Sequence, residues 1–217
     1  MMNITRIVSH LLIINVLMFF GTQIFLQEIF VPPAYANFPT GGRIALAFWY
    51  PFGEGSLFQP FQIVTHMFMH GDFTHLLFNM FAVFMFGPHI ERVWGQKRFF
   101  FFYMFAGFGA LLTHFLVSYL EFTYLGGGYP PPVLGASGAV FGILVGFAYL
   151  YPNMQIMLLI PPIPIRAKYF VLIYAGIELF LGLGSTNDGV AHFAHLGGAL
   201  FGYLLILYWR KYGSRLN

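Results

Sequence analysis

Six stretches of the chain, at about 8–30, 72–90, 98–120, 135–151, 169–184 and 190–209, are apolar almost throughout. Each is close to the ~20 residues an α-helix needs to cross a lipid hydrocarbon core. Only 8% of the 217 residues are charged, against 59% hydrophobic and 21% aromatic. A soluble domain needs far more charge to cover its surface, so lipid is the solvent for most of this chain. The expected fold is an all-α, six-helix membrane protein, with residues 1–217 forming a single domain. Pro32-Pro33, Pro130-Pro131-Pro132 and Pro161-Pro162-Ile163-Pro164 break helices and mark loops between the segments. With no cysteine, disulfides, thiolate metal sites and cysteine nucleophiles are excluded. The first segment is too long, and lacks the small-residue cleavage site, for a cleavable leader.

Lysine and arginine set the orientation. Arg6, Arg92, Lys97, Arg98, Arg166, Lys168, Arg210, Lys211 and Arg215 fall on one side of the alternating segments, and only Arg43 on the other. By the positive-inside rule both termini are cytoplasmic, and the second, fourth and sixth helices start outside. The loop from about 31 to 63 carries Phe48, Trp49, Tyr50, Phe52, Phe58 and Phe61 and is expected at the outer interface, where aromatic rings sit well.

The polar residues gather at the outer ends of those three helices: His66, His70, His75 and Asn79 near the second, Ser137 opening the fourth, His192 and His195 in the sixth. Polar groups are costly in hydrocarbon, so their collection at one depth points to a constructed site. Ser137 is the candidate nucleophile, because the unpaired N–H groups of a helix start can receive an oxyanion beside its hydroxyl. The blander reading makes Ser137 a cap and Gly138, Gly142 and Gly146 a packing stripe. His195, Gly198 and Gly202 fall within about 60° of one another around a helix, a face narrow enough to approach that stripe and bring an imidazole to Ser137. His192 lies about 80° from Gly202, so His195 is the better base. His75 and Asn79, four apart, share a face and suit an oxyanion hole; His66 and His70 read as braces for the loop.

Metal binding is the rival for the histidines. His66 and His70 have the i, i+4 spacing of helical ligands, and His192 and His195 are three apart. No His-Glu-x-x-His occurs, and Asp72 and Asp188 sit in loops without a surrounding motif. Glu178 is an intramembrane acid to which the sequence alone assigns no chemistry. Glu91 and Arg92 lie at the far end of the second helix, where anchoring or a salt bridge is the expected role.

The pattern His66-x-x-x-His70-x-x-x-x-His75-x-x-x-Asn79, Gly135-Ala136-Ser137-Gly138 and His195-x-x-Gly198-x-x-x-Gly202 resembles the rhomboid family of intramembrane serine proteases. The resemblance covers nearly the whole chain. It implies a rhomboid-like bundle in which Ser137 is the nucleophile and His195 the general base, a dyad without an acid. It also implies an oxyanion hole from His75, Asn79 and the Ser137 N–H, no cofactor or metal, and transmembrane proteins as substrates, cleaved near the outer face after entry past a mobile fifth helix. Its partners are then these substrates and the lipid bilayer, with no nucleic acid, and its location is multi-pass in a bacterial plasma membrane. Glu91-Arg92 matches the family's acidic and basic pair. Phe61-Gln62 stand where many members carry Trp-Arg, and Phe141 where several carry a tyrosine packed on the catalytic histidine. The competing functions are a non-proteolytic polytopic protein, its histidines binding metal or serving transport, and a lipid hydrolase using the same serine.

Overall fold

The structure, a computed structural model, describes residues 4–25, 45–53, 56–158, 162–184 and 191–213. Pro32-Pro33, Arg43, Pro161, Asp188 and Arg215 lie outside the described residues. Six long helices make up most of the rest: α1 (Arg6–Phe25), α2 (Phe73–Trp94), α3 (Gln96–Tyr124), α4 (Ser137–Leu150), α5 (Ala167–Leu183) and α6 (His192–Tyr212). Among them α2, α3 and α6 are long and apolar enough to cross a membrane, and α1 and α4 contribute shorter apolar helices.

Two features were not foreseen. A helical turn, Gln62–Thr65, runs into a 3-10 turn, His66–Phe68, ahead of α2. Between α4 and α5 a small antiparallel hairpin pairs β1 (Gln155–Met157) with β2 (Pro164–Arg166) in the register Gln155↔Arg166.

α4 occupies the middle of the bundle. Its residues from Gly138 to Leu144, with Gly146 and Phe147, are buried on every side, as expected of a helix that is apolar all round. α2, α3, α5 and α6 surround it. α5 is the opposite case: only Ala167 and Glu178 are buried along it, and Leu172, Phe180 and Leu183 project outward. Such exposed apolar residues need lipid around them.

The described lysines and arginines collect at one end, together with Glu91. Glu91 is 3% exposed near the end of α2. Its carboxylate accepts from the Thr5 hydroxyl and from the N–H groups of Ile7 and Val8, each of the latter at 3.0 Å. An anion there satisfies orphan donors in the first turn of α1 and complements its dipole. Gly95, at φ 78°, is the single residue between α2 and α3, a reversal that glycine makes without strain. Arg6, Arg92, Lys97 and Arg98 line the cavity around this junction, about 620 Å³ in size. Trp94 packs edge-on against Trp209 with ring centroids 5.5 Å apart, which brings Arg210 and Lys211 to the same end. Arg166 and Lys168 follow the C-terminal end of α4, so every described lysine and arginine lies away from Ser137 at its start.

The aromatic loop differs from the expected interfacial belt. Phe48, Trp49 and Tyr50 are buried, and Phe48 and Tyr50 pack with Leu111, Phe115 and Val133 in a second core. The reason is an anchor: Gln62, 1% exposed, accepts from the N–H groups of Trp49 and Gln59 and donates to the carbonyls of Ala45 and Leu57. With four of its backbone groups satisfied by one amide, the loop can turn its rings inward. Phe61, half exposed, remains outside.

Candidate active site

Ser137 is placed by the segment before it. Phe48 and Val133 exchange backbone hydrogen bonds at 2.8 and 2.9 Å, and the Gly135 N–H donates to the His66 carbonyl at 2.9 Å. Gly135 has φ 130°, a conformation that L side chains rarely adopt. A side chain there would also crowd the His75 ring: a Cβ would stand 2.8 Å from His75 Cε1, and 3.5 Å, an ordinary contact, from Ser137 Oγ. Imidazole and hydroxyl thus flank one glycine. The first helical bond of α4 runs from the Val140 N–H to the Ala136 carbonyl. The N–H groups of Ser137, Gly138 and Ala139 therefore precede the helical ladder. Ala136 holds the cap position and makes no side-chain bond, so Ser137 is the first residue inside the helix, not its cap. A small cavity of about 20 Å³, near the size of one water, adjoins Ser137, His66 and Ala194.

α6 reaches this site by close backbone contact. A Cβ on Gly198 would overlap the Gly138 carbonyl, and one on Gly202 would stand 3.1 Å from Gly142 Cα. Gly138 and Gly142 also receive Ala110 and Ala106 of α3, whereas Gly146 faces Trp94, Ile90 and Phe102. The stripe therefore serves three neighbours, α2, α3 and α6, rather than one. The His195 ring stacks on Phe141, one turn into α4 from Ser137, with centroids 4.4 Å apart and planes 8° from parallel. Among the described residues no hydrogen bond joins Ser137 to His195.

On the other side, Asp72 caps α2 by accepting from the His75 N–H at 2.8 Å, so this loop carboxylate has a structural task. Asn79 is buried and donates one amide N–H to the His75 carbonyl at 2.9 Å, which leaves its second N–H uncommitted to that bond. His66 lies in the 3-10 turn and His70 beyond it, so the two do not share a helix face as expected of paired ligands. His66 Nδ1 faces the Gln62 carbonyl at 2.9 Å, and the His70 and His75 rings meet edge-on at 5.1 Å. Burial lowers the His66 pKa to about 4; burial, reinforced by the neighbouring His75, lowers that of His70 to about 3. Both rings stay neutral near pH 7.

The residue that sequence reasoning left without a task is Glu178. Its Oε2 lies 2.7 Å from His192 Nδ1, a hydrogen bond, and 3.0 Å from His195 Nδ1, an approach too oblique for one. The available signal was one acid and two histidines in consecutive apolar segments, groups that low dielectric drives together. A carboxylate at Nδ1 favours the tautomer with its proton there, leaving Nε2 as the acceptor.

A family model described as the Rhomboid domain matches residues 57–212. The chain belongs to the rhomboid family. It is 33% identical over 152 residues to Rhomboid protein 1, mitochondrial, of Saccharomyces cerevisiae, a match covering 69% of this chain and 42% of that protein. It is 28% identical over 144 residues to the putative rhomboid protease YdcA of Bacillus subtilis, covering 66% of this chain and 64% of that one. To Rhomboid-like protein 11, chloroplastic, of Arabidopsis thaliana it is 31% identical over 160 residues, covering 71% and 54%. The matched region is thus less than two thirds of each of these rhomboid relatives. Family and apolar helices together make the chain an integral membrane protein. Because the relatives include mitochondrial and chloroplast proteins, the family does not single out a bacterial membrane.

Proposed function

We propose that this rhomboid is an intramembrane serine endopeptidase that cleaves transmembrane segments of other proteins near the outer face of the membrane. The whole chain acts as one unit of six spanning helices with both termini cytoplasmic. The observation that carries the reading is the position of His195, stacked on Phe141 one turn from Ser137, with the His75 ring beside Gly135 and the serine hydroxyl. In this mechanism Ser137 Oγ attacks the scissile carbonyl carbon while His195 Nε2 takes its proton. The oxyanion accepts hydrogen bonds from the Ser137 N–H, His75 and Asn79. The intermediate collapses, the C–N bond breaks, and His195 returns its proton to the leaving amine. Water then attacks the acyl-serine with His195 again as base, releasing the acid and restoring the serine. The Glu178 carboxylate, 3.0 Å from His195 Nδ1, favours a proton on that nitrogen by its charge and takes no proton itself.

The test is labelling of purified protein with a fluorophosphonate, paired with cleavage of a co-expressed single-span substrate. Wild type is expected to label and cleave; Ser137→Ala and His195→Ala lose both, while His192→Ala keeps measurable activity. Labelling that survives Ser137→Ala would overturn the assignment. Labelling with hydrolysis of phospholipid but no cleavage of any substrate would make the enzyme a lipid hydrolase instead.

A further inference from the structure

We propose that Glu178, His192 and His195 form a binding site for a zinc-like divalent transition-metal ion, and that the bound ion switches off the Ser137 chemistry. The inhibitory half rests on the reading of His195 as general base; the binding half does not.

One ligand atom from each of the three residues lies within 4.8 Å of the others, the one such group of three among the described residues. Two imidazoles and a carboxylate are a donor set that zinc accepts, with a fourth position left for water. Bond lengths of about 2.0–2.2 Å to nitrogen and oxygen place tetrahedral ligands roughly 3.3–3.5 Å apart. The two carboxylate-to-imidazole separations, 2.7 and 3.0 Å, are shorter than this by under an ångström. Opening the group slightly costs little, because Glu178 comes from α5, the helix with the fewest buried side chains, and both histidines from α6. The side chains are 6%, 6% and 12% exposed, so an ion there would exchange water for ligands that are already gathered. One negative carboxylate and two neutral imidazoles also leave a dication partly neutralised, which suits a partly buried site.

The inhibition follows from proton bookkeeping on one ring. With Glu178 beside Nδ1, neutral His195 carries its single proton there and offers the Nε2 lone pair to Ser137. A metal ion on Nδ1 occupies that lone-pair site, so the same proton must reside on Nε2. No proton is gained or lost by the ring, yet Nε2 becomes a donor and can no longer deprotonate the serine. The metal is therefore an inhibitor and not a cofactor, and chelation should raise activity.

The experiment uses full-length protein in detergent, first stripped with a chelator. Calorimetry with zinc is run on Ser137→Ala, whose substitution touches no ligand and removes turnover. One ion per chain at micromolar or tighter affinity is expected, with no binding of magnesium or calcium, which prefer all-oxygen sites. Glu178→Gln and His192→Ala, checked for monodispersity, should weaken it at least tenfold. Cobalt offers an independent readout through the visible bands of a tetrahedral nitrogen–oxygen site. Wild-type fluorophosphonate labelling should fall with zinc and return with EDTA, and in His192→Ala, which keeps measurable activity, the zinc needed should rise in parallel with the loss of affinity. No zinc binding, or binding indifferent to both substitutions, overturns the site. Binding with labelling unchanged overturns the inhibition and leaves the protease reading standing. Binding in a protein that never labels leaves the site standing and overturns the protease reading.

Discussion

When a carbonyl carbon becomes tetrahedral its oxygen gains a negative charge, and donors fixed in advance stabilise that charge more than they stabilise the substrate. Asn79 is suited to this because its amide is held by the bond to the His75 carbonyl and still has a second N–H. Asn79→Ala is expected to lower kcat about 100 to 1,000-fold with KM little changed. The midpoint of thermal unfolding should move by only a few degrees, since the His75 carbonyl keeps its helical bond. Asn79→Asp preserves the shape but replaces the donor with an acceptor, and it should lose at least as much activity. A fall in thermal stability matching the fall in kcat for both variants would make Asn79 structural. Spacing alone put His75 and Asn79 on one face, whereas it gave no hint that Gln62 holds the aromatic loop. A glutamine's four partners come from separate turns of chain, and only the folded loop gathers them.

At the scale of the element, the glycines of α4 and α6 were legible because their spacing repeats with the helix. Close approach of two backbones needs small residues in register, and Gly198 against Gly138 shows the tightest fit. The role of Glu178 was not legible, since it depends on α5 lying beside α6, and nothing in either segment fixes that neighbour. Burial distinguishes two kinds of helical glycine. Gly198→Ala forces a methyl into the Gly138 carbonyl, parts α4 from α6 and draws His195 away from Ser137, so activity should be lost and thermal stability lowered. Gly176→Ala on α5 meets nothing within 4 Å, and removing a glycine from a helix interior should leave stability equal or improve it by roughly 0.5–1 kcal/mol. Thermal unfolding of the two variants in the same detergent checks both. Equal stability for the pair would mean that the α4–α6 contact does not hold the bundle together.

Across the whole molecule the distribution of charge and the position of the site are one fact seen from two ends. The described lysines and arginines lie at one end, near the starts of α1 and α5 and the ends of α2 and α6, while α2, α4 and α6 begin at the other with the polar side chains of the site. Lysine and arginine near span ends are retained on the cytoplasmic side during insertion, so the site should open outward. The absence of native cysteine makes the prediction clean, because a single introduced thiol is the only reactive one. Gly128, in the loop between α3 and α4, is exposed, and a Cβ there meets nothing within 4 Å; Lys97 is exposed at the start of α3, at the opposite end. In intact cells a membrane-impermeant maleimide should label Gly128→Cys, whereas Lys97→Cys should react only after the membrane is permeabilised. If Lys97→Cys labels in intact cells and Gly128→Cys does not, the positive end faces outward. The serine would then open to the cytoplasm, and substrates would have to be cut near their inner ends.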